Sequence, residues 1–109
     1  MDTTGTVYVS DSKAGQVRRL PAGATRSTVL PFGDLDRPAG LAVDGAGNVY
    51  VSDYSANRVL ELPVGADHPE VLPFTGLDKP SALAVGKSGA VYVLDSGNYR
   101  VLKLPTRSR

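Results

Sequence analysis

A 42-residue repeat is the feature of this sequence that most constrains its fold. The tripeptide Val-Tyr-Val begins at positions 7, 49 and 91, and an aspartate follows at positions 11, 53 and 95. A Leu-Pro pair closes the same pattern at positions 20, 62 and 104. Fixed periods between about 20 and 50 residues are typical of repeat folds in which neighbouring copies cover each other's apolar faces. The chain is therefore expected to be built from copies of one small unit.

Each unit contains four short segments that are rich in β-branched and aromatic residues, a composition that favours strands over helices. In the complete unit these segments cover residues 40–43, 49–52, 58–62 and 70–74. Residues 44–48, 53–57, 65–67 and 76–80 separate them and supply the Gly, Asn, Asp and Pro of tight turns. Because such short connections join antiparallel neighbours, each unit is predicted to be a four-stranded antiparallel sheet.

The four predicted strands differ in polarity in a way that indicates their place in the fold. The first two are apolar on both faces, the third is interrupted by Glu61 or Lys103, and the fourth reaches Pro73, which cannot donate to a sheet ladder. This gradient predicts inner strands buried near an axis and an outer strand at an exposed edge. The predicted fold class is all-β, with each unit forming one blade of a β-propeller.

The chain is predicted to be a single domain, residues 1–109, with about two and a half four-stranded blades. Residues 1–38 form a partial blade, 39–80 a full blade and 81–109 a second partial blade, with three, four and three strands. An open row of blades leaves two apolar blade faces uncovered. We expect self-association to complete six blades: a dimer is favoured, and a trimer requires displacement of the first hairpin. The alternative is a fragment whose remaining blades lie elsewhere.

Three segments carry a resemblance to a known family: Gly-Leu-Ala-Val-Asp at 40–44, Gly-Asn-Val-Tyr-Val-Ser-Asp at 47–53 and Asn-Arg-Val at 57–59. They resemble the NHL repeat. Val-Leu-Pro-Phe-Thr-Gly-Leu at 71–77 is similar to repeats in the sensor propellers of actinobacterial receptor serine/threonine kinases. The resemblance implies a six-bladed propeller that binds partners on one circular face. Gln16 departs from the pattern, since arginine stands at the equivalent positions 58 and 100.

Composition argues against several classes of function. Twelve Lys and Arg residues against eleven Asp and Glu give a net charge of +1, so nucleic acid is not an expected partner. The chain has no cysteine and a single histidine, His68, in a loop beside the outermost strand. Neither a histidine-based nucleophile nor a zinc site is expected, and no cofactor or metal is predicted. The chain is predicted not to be an enzyme.

The NHL resemblance leaves two alternative functions open. RNA binding is known for some NHL proteins, and its signature is an affinity that falls steeply with salt. A small-molecule hydrolase or lyase would place its site in the propeller channel. Such a site needs acids or histidines on the inner strands, and residues 41–43 and 83–85 offer none.

Recurring aspartates are predicted to have structural roles. Asp11, Asp53 and Asp95 each end a second strand, where a carboxylate can accept backbone N–H bonds and pair with Arg58 or Arg100. Residues 44–48 are predicted to be a hairpin turn rather than a phosphate loop. Asp34 and Asp36 lack the acid series of a calcium loop and are predicted to cap turns.

Ligand contacts are predicted on the loops at one end of the blades, where side chains vary between otherwise similar units. Tyr and Arg are the side chains most often found as binding anchors. The predicted ligand-binding residues are Arg37, Tyr54, Asn57, Lys79 and Tyr99. The predicted function is a non-catalytic binding or scaffold module, in the manner of a sensor-domain fragment, for a protein, peptide or glycan.

No signal peptide and no membrane segment are expected in this chain. The first six residues, Met-Asp-Thr-Thr-Gly-Thr, have neither a basic nor an apolar stretch, and no apolar run approaches the roughly 20 residues that span a bilayer. The sequence does not specify a compartment. The kinase-sensor resemblance implies an extracytoplasmic one.

Overall fold

The computed structural model describes residues 5–33 and 35–105, and the regular structure in them is almost entirely β-strand. A three-residue 3-10 helix, Ser96–Asn98, is the one helical element of that part of the chain, and no helix there is long and apolar enough to cross a membrane. The strands are β1 (Val7–Asp11), β2 (Gln16–Leu20), β3 (Thr28–Val29), β4 (Pro38–Val43), β5 (Val49–Asp53), β6 (Arg58–Leu62), β7 (Glu70–Val71), β8 (Pro80–Val85), β9 (Val91–Asp95) and β10 (Arg100–Leu104).

The strands form three small antiparallel sheets that follow one another along the chain. Sheet 1 contains β1, β2 and β3, sheet 2 contains β4 to β7, and sheet 3 contains β8, β9 and β10. The predicted sequence of three, four and three strands is confirmed. Each sheet contains an equivalent hairpin, formed by β1–β2, β5–β6 and β9–β10. The three hairpins have the same register, in which the first valine of one strand pairs with the last leucine of the other: Val7 with Leu20, Val49 with Leu62 and Val91 with Leu104. The sequence repeat is thus a repeat of strand pairing.

The sheets stack face to face, and each junction has its own apolar core. Val17 of sheet 1 packs with Val51 and Leu60 of sheet 2, and Val59 of sheet 2 packs with Val93 of sheet 3; all five are almost completely buried. Burying a side chain of this size contributes roughly 1.5–3 kcal/mol. Because every sheet is covered by its neighbour rather than by a helix, the architecture is that of a partial β-propeller.

The inner strands of sheets 2 and 3 approach closely at Gly40. The Gly40 N–H donates to Ser52 Oγ at 2.7 Å, and the Ser52 hydroxyl reaches the Ser81 carbonyl of the neighbouring sheet. A Cβ at residue 40 would lie 1.9 Å from that carbonyl oxygen. Strand β4 also has a register irregularity between Pro38 and Leu41. Glycine is therefore required here by space.

Two expectations about the strands were wrong. The fourth strand of the full blade was predicted over 70–74, but β7 ends at Val71, because Pro73 has no N–H to continue the ladder. Only the Leu72 N–H extends the pairing, to the Val59 carbonyl at 2.9 Å. The first strand was predicted to be buried on both faces. Strands β4 and β8 are partly exposed, whereas β5 is buried along its whole length.

The outward faces of sheets 1 and 3 expose the apolar side chains that sheet 2 buries. Val9 is 53% exposed and its repeat equivalent Val51 is 0% exposed; Val101 is 65% exposed and its equivalent Val59 is 0% exposed. We call the first surface the leading face, with Val9 and Val29, and the second the trailing face, with Leu94 and Val101. Both are uncovered apolar faces, as the strand count predicted.

Candidate functional site

One end of the sheets gathers the loops on which ligand contacts were predicted. We call it the loop face and define it by residues 12–15, 35–37, 54–57, 76–79 and 96–99. Backbone hydrogen bonds join these loops: the Tyr54 N–H donates to the Arg37 carbonyl at 2.9 Å, and the Gly97 N–H donates to the Asp78 carbonyl at 2.8 Å. Each bond joins the connection that leads into a sheet to a turn of that same sheet, so these loops lie side by side on the loop face.

Buried aspartates fix the shape of this surface from below. The Asp53 carboxylate is inaccessible to solvent and accepts hydrogen bonds from the backbone N–H groups of Asp36, at 3.0 Å, and Arg37, at 2.7 Å. Arg58 Nη2 lies 3.1 Å from the same carboxylate. The predicted pairing of the second-strand aspartate with the arginine five residues later is confirmed for this unit. Asp53 therefore positions the backbone of Arg37, and with it the start of the Arg37 side chain.

Asp95 repeats the arrangement in sheet 3. It is fully buried, accepts from the Asp78 N–H at 2.7 Å and from Asn98 Nδ2 at 2.9 Å, and pairs with Arg100 at 2.8 Å. Burial alone would raise the pKa of the Asp95 carboxyl, but the hydrogen bonds from Asp78 and Asn98 and the Arg100 guanidinium outweigh it. The pKa of Asp95 consequently lies below its ordinary value of 3.8.

Sheet 1 lacks the arginine partner. Asp11 accepts a bond from the Ala14 N–H at 3.1 Å, as a turn cap does, and Gln16 stands where the arginine would be. The Gln16 side chain instead accepts from Arg18 at 3.3 Å. The prediction of turn capping by Asp11 is confirmed, and the departure at Gln16 removes one cation from this part of the loop face.

Arg37 and Tyr54 form the best-defined pair of predicted ligand residues. The Arg37 guanidinium carbon lies 5.6 Å from the centre of the Tyr54 ring, within the range of a cation–π interaction. Arg37 also lines a shallow cavity of about 490 Å³ at the junction of sheets 1 and 2. The remaining lining residues of this cavity are Ser12, Lys13, Asp36 and Ser55. The cavity thus combines two cations, one carboxyl and two hydroxyls beside an aromatic ring.

Sequence reasoning missed the contribution of sheet 1 to this cavity. The ligand-binding residues were predicted from positions that vary between the second and third units, and a comparison of those two units gives no information about the first. The 42-residue repeat could have identified these residues, because Ser12 and Lys13 are the equivalents of Tyr54 and Ser55 in the next unit. Ser12 Oγ donates to the Pro38 carbonyl at 2.8 Å, which holds the first loop against the second sheet.

Asn57 and Lys79 meet across the next junction, but through the backbone. The Lys79 N–H donates to Asn57 Oδ1 at 2.8 Å, and both residues have positive φ, 56° for Asn57 and 54° for Lys79. The Asn57 side-chain oxygen therefore joins two loops. Tyr99, the repeat equivalent of Asn57, is 94% exposed on sheet 3. The predicted residues fall into one close pair, one backbone-linked pair and a separate tyrosine.

The remaining titratable candidates have structural surroundings. The 44–48 segment is a hairpin turn, as predicted, in which the Asp44 N–H donates to the Asn48 carbonyl at 3.1 Å. His68 is exposed and lies 2.7 Å from Asp67. Asp36 is exposed, and Asp34 lies outside the described residues. Within residues 5–33 and 35–105, no three His, Cys, Asp or Glu side chains are close enough together to hold a metal ion.

Comparison with known proteins agrees with this geometry at the level of family. Sheets of up to four strands that repeat every 42 residues and cover one another define a β-propeller repeat protein. The sequence model of the NHL repeat matches residues 35–62 and 77–104, together more than half of the chain. The chain belongs to the NHL-repeat family. A search of curated protein sequences gave no match.

Solved structures with this fold include lyases and a chain of a protein complex. A streptogramin B lyase structure is similar with a TM-score of 0.72 at 17% identity, and covers 94% of this chain and 38% of its own. Selenomethionine-substituted virginiamycin B lyase from Staphylococcus aureus is similar with a TM-score of 0.73 at 14% identity, over 98% of this chain and 40% of its own. A chain of the nidogen/laminin complex is similar with a TM-score of 0.74 at 24% identity, and the match covers 84% of the present chain and 35% of that chain. The chain thus spans less than half the length of these relatives, and at these identities the likeness is one of fold.

Proposed function

We propose that this chain is a non-catalytic binding module that presents its loop face to a protein, peptide or glycan. The observation that carries the proposal is the Arg37–Tyr54 pair above the cavity at the junction of sheets 1 and 2. A guanidinium stacked on an aromatic ring offers planar donors and an apolar face together, which is the chemistry of interface anchors. The structural likeness to a propeller in the nidogen/laminin complex supports a protein partner.

The surrounding groups suit a ligand with both charged and hydroxyl chemistry. Lys13 and Arg37 supply cations, Asp36 supplies a carboxyl, and Ser12 and Ser55 line the same cavity. The Asp53 carboxylate holds the backbone beneath Arg37, so the anchor is presented on a fixed loop. A preorganised anchor loses little conformational freedom on binding. We therefore expect recognition to depend on Arg37 and Tyr54 more than on Tyr99.

Arrays of peptides, glycans and RNA oligonucleotides, followed by titration of the strongest ligand, test the proposal. Replacing both anchors, Arg37→Ala with Tyr54→Ala, is expected to weaken binding at least about tenfold, as loss of a binding anchor does. Lys87→Ala is the matched control, because Lys87 is exposed in the turn at the opposite end of sheet 3. Unchanged binding by the double variant, or an equal loss in the control, would show that the loop face is not the binding surface. If the strongest ligand is RNA and its affinity falls steeply with salt, the alternative function replaces this one.

Lyase or hydrolase chemistry is the competing function, and it has structural relatives in its favour. One neighbour is a catalytically inactive histidine-to-alanine variant of virginiamycin B lyase with quinupristin. The single histidine of the present chain is in an exposed loop. A cavity of about 400 Å³ between the inner strands is lined by small or apolar side chains, namely Ala39, Gly40, Leu41, Ser81, Ala82 and Leu83. We favour binding over catalysis because this cavity offers no general acid or base.

We also propose that the six-bladed ring is completed by a second copy of the chain. Residues of the trailing face are the repeat equivalents of those through which sheet 2 packs against sheet 3. Residues of the leading face are the repeat equivalents of those through which sheet 2 packs against sheet 1. The two faces are therefore complementary, and two copies joined at both supply six sheets. From the sequence resemblance of residues 71–77 alone, we further propose that such a ring acts as the ligand-binding part of a sensor.

A further inference from the structure

A second cavity lies at the end of the sheets opposite the loop face, between sheets 1 and 2. It has a volume of about 410 Å³, within the range of sites for small ligands. Its walls are mainly apolar and include the segment just after β3, the end of β6 and the turns at 46–47 and 63–66. We call it the junction groove, and its principal apolar residues are Leu30, Pro31, Leu62, Pro63, Val64 and Ala66.

Arg19 is the one charged side chain that lines the junction groove. It is partly buried, and it makes no ion pair with any residue in the described part of the chain. Its repeat equivalent in sheet 2, Glu61, is fully buried at the next junction. The junction of sheets 1 and 2 therefore combines apolar walls with a cation that has no carboxylate partner among the described residues.

Charge complementarity points to an anionic ligand. A partly desolvated guanidinium gains most from a carboxylate, which it can bind through two parallel hydrogen bonds. The apolar walls gain from a hydrocarbon body. The volume of about 410 Å³ is that of a site for a small molecule, which favours a small free acid over the end of a polypeptide.

We propose that the junction groove binds a small amphipathic monocarboxylic acid, with its carboxylate on Arg19 and its apolar body along Leu30, Leu62 and Val64. This site is separate from the loop face, so the proposal does not depend on the proposed function. The two sites lie at opposite ends of the same pair of sheets.

Titration with decanoate, followed by calorimetry and by the methyl NMR signals of Leu and Val residues, tests the proposal. Arg19→Leu is expected to weaken decanoate binding on the order of tenfold or more, the effect of losing a charge-assisted hydrogen bond. Arg18→Leu is the matched control: it removes the same charge from the next residue of β2, which points to the other face and bonds Ser27 at 3.2 Å. The control is expected to bind within about twofold of the native chain.

Two further comparisons separate a built site from general attraction. Decanamide has the same body without the charge, so the native chain should bind it more weakly than decanoate, and Arg19→Leu should bind the two alike. Ala66→Leu reduces the space in the groove without changing charge, and it should weaken both probes. Equal losses in the Arg18 and Arg19 variants, no saturation, or unchanged binding by Ala66→Leu would each overturn the proposal. If Arg19→Leu does not fold, the decanamide comparison and Ala66→Leu decide.

Discussion

At the scale of single residues, the buried aspartates that recur in the repeat hold the neighbouring loops in place through hydrogen bonds to backbone N–H groups. Asp53 and Asp95 each accept backbone N–H bonds from the connection that follows the outer strand and pair with an arginine on the adjacent strand. One carboxylate thus ties together two loops and a strand end. The backbone of Arg37, and that of Asp78 next to Lys79, is thus held by buried carboxylates.

Asp95→Asn is expected to destabilise the fold by about 2 kcal/mol at pH 7, because it removes charge-assisted hydrogen bonds from a buried acceptor. The pKa of Asp95 is lower in the folded chain than its ordinary value of 3.8, so its stabilising contribution is complete above that value and is lost as pH falls through the folded-state pKa. The difference between native and variant chains should therefore shrink between pH 5 and pH 3. Urea unfolding at pH 7, 5 and 3 measures it.

Asp36→Asn provides the control for this experiment, because the same chemical change is made on an exposed carboxyl. It is expected to alter the free energy of unfolding by less than about 0.5 kcal/mol. An Asp95→Asn deficit that stays constant from pH 7 to pH 3 would contradict the role assigned to the charged carboxylate.

The sequence allowed the aspartate–arginine pairs to be predicted, because both partners recur five residues apart on adjacent strands. The contact of Arg37 with Tyr54 was beyond sequence reasoning. The two residues were selected separately, from their type and loop position, and their contact depends on how two loops 17 residues apart fold over one junction. The hydrogen bond from the Lys79 backbone N–H to the Asn57 side-chain oxygen depends on loop geometry in the same way.

At the scale of elements, the inner strands are held at a separation that only a residue without a side chain permits. Gly40→Ala is expected to destabilise the chain by about 1–3 kcal/mol, because the new Cβ would collide with the Ser81 carbonyl of the next sheet. Gly45→Ala is the matched control, since a Cβ there meets no atom within 4 Å. Chemical denaturation of both variants measures the difference. Equal stabilities would show that β4 and β8 can separate without cost.

Strand existence was predictable from the repeat, whereas strand length was not. The 42-residue period fixed the number of strands per sheet and their order, and the turn residues placed the hairpins. The apolar run at 70–74 suggested a longer outer strand than Glu70–Val71, because hydrophobic pattern does not register a missing N–H at Pro73. Composition likewise could not show that β4 and β8 are partly exposed.

At the scale of the whole molecule, the uncovered leading and trailing faces are the surfaces at which we propose that copies join. We expect the native chain to have twice its 11.4 kDa mass in light scattering at micromolar concentration. Val101→Glu places a charge on the trailing face and is expected to return the folded mass to 11.4 kDa. Val71→Glu is the control, because Val71 is similarly exposed, at 61%, but lies on the outer edge of sheet 2.

Two results would contradict the assembly. A folded native chain that stays monomeric would show that the faces do not join copies of this chain and would favour cover by further repeats of a longer polypeptide. A Val101→Glu chain that still forms dimers would place the contact elsewhere on the surface. Either outcome leaves the loop-face proposal open to its own test, because Arg37 and Tyr54 lie at a junction within one chain.

The difference between the leading and trailing faces gives every copy a direction. In the proposed ring the leading face of one copy contacts the trailing face of the next, so copies add in the same sense around the axis, whereas a surface that binds its own kind would stop at one contact. When two copies meet at both ends, neither surface is left to recruit a third. A chain altered on one of the two surfaces retains the other and acts as a terminator of the series, and two chains altered on different surfaces still share one intact seam.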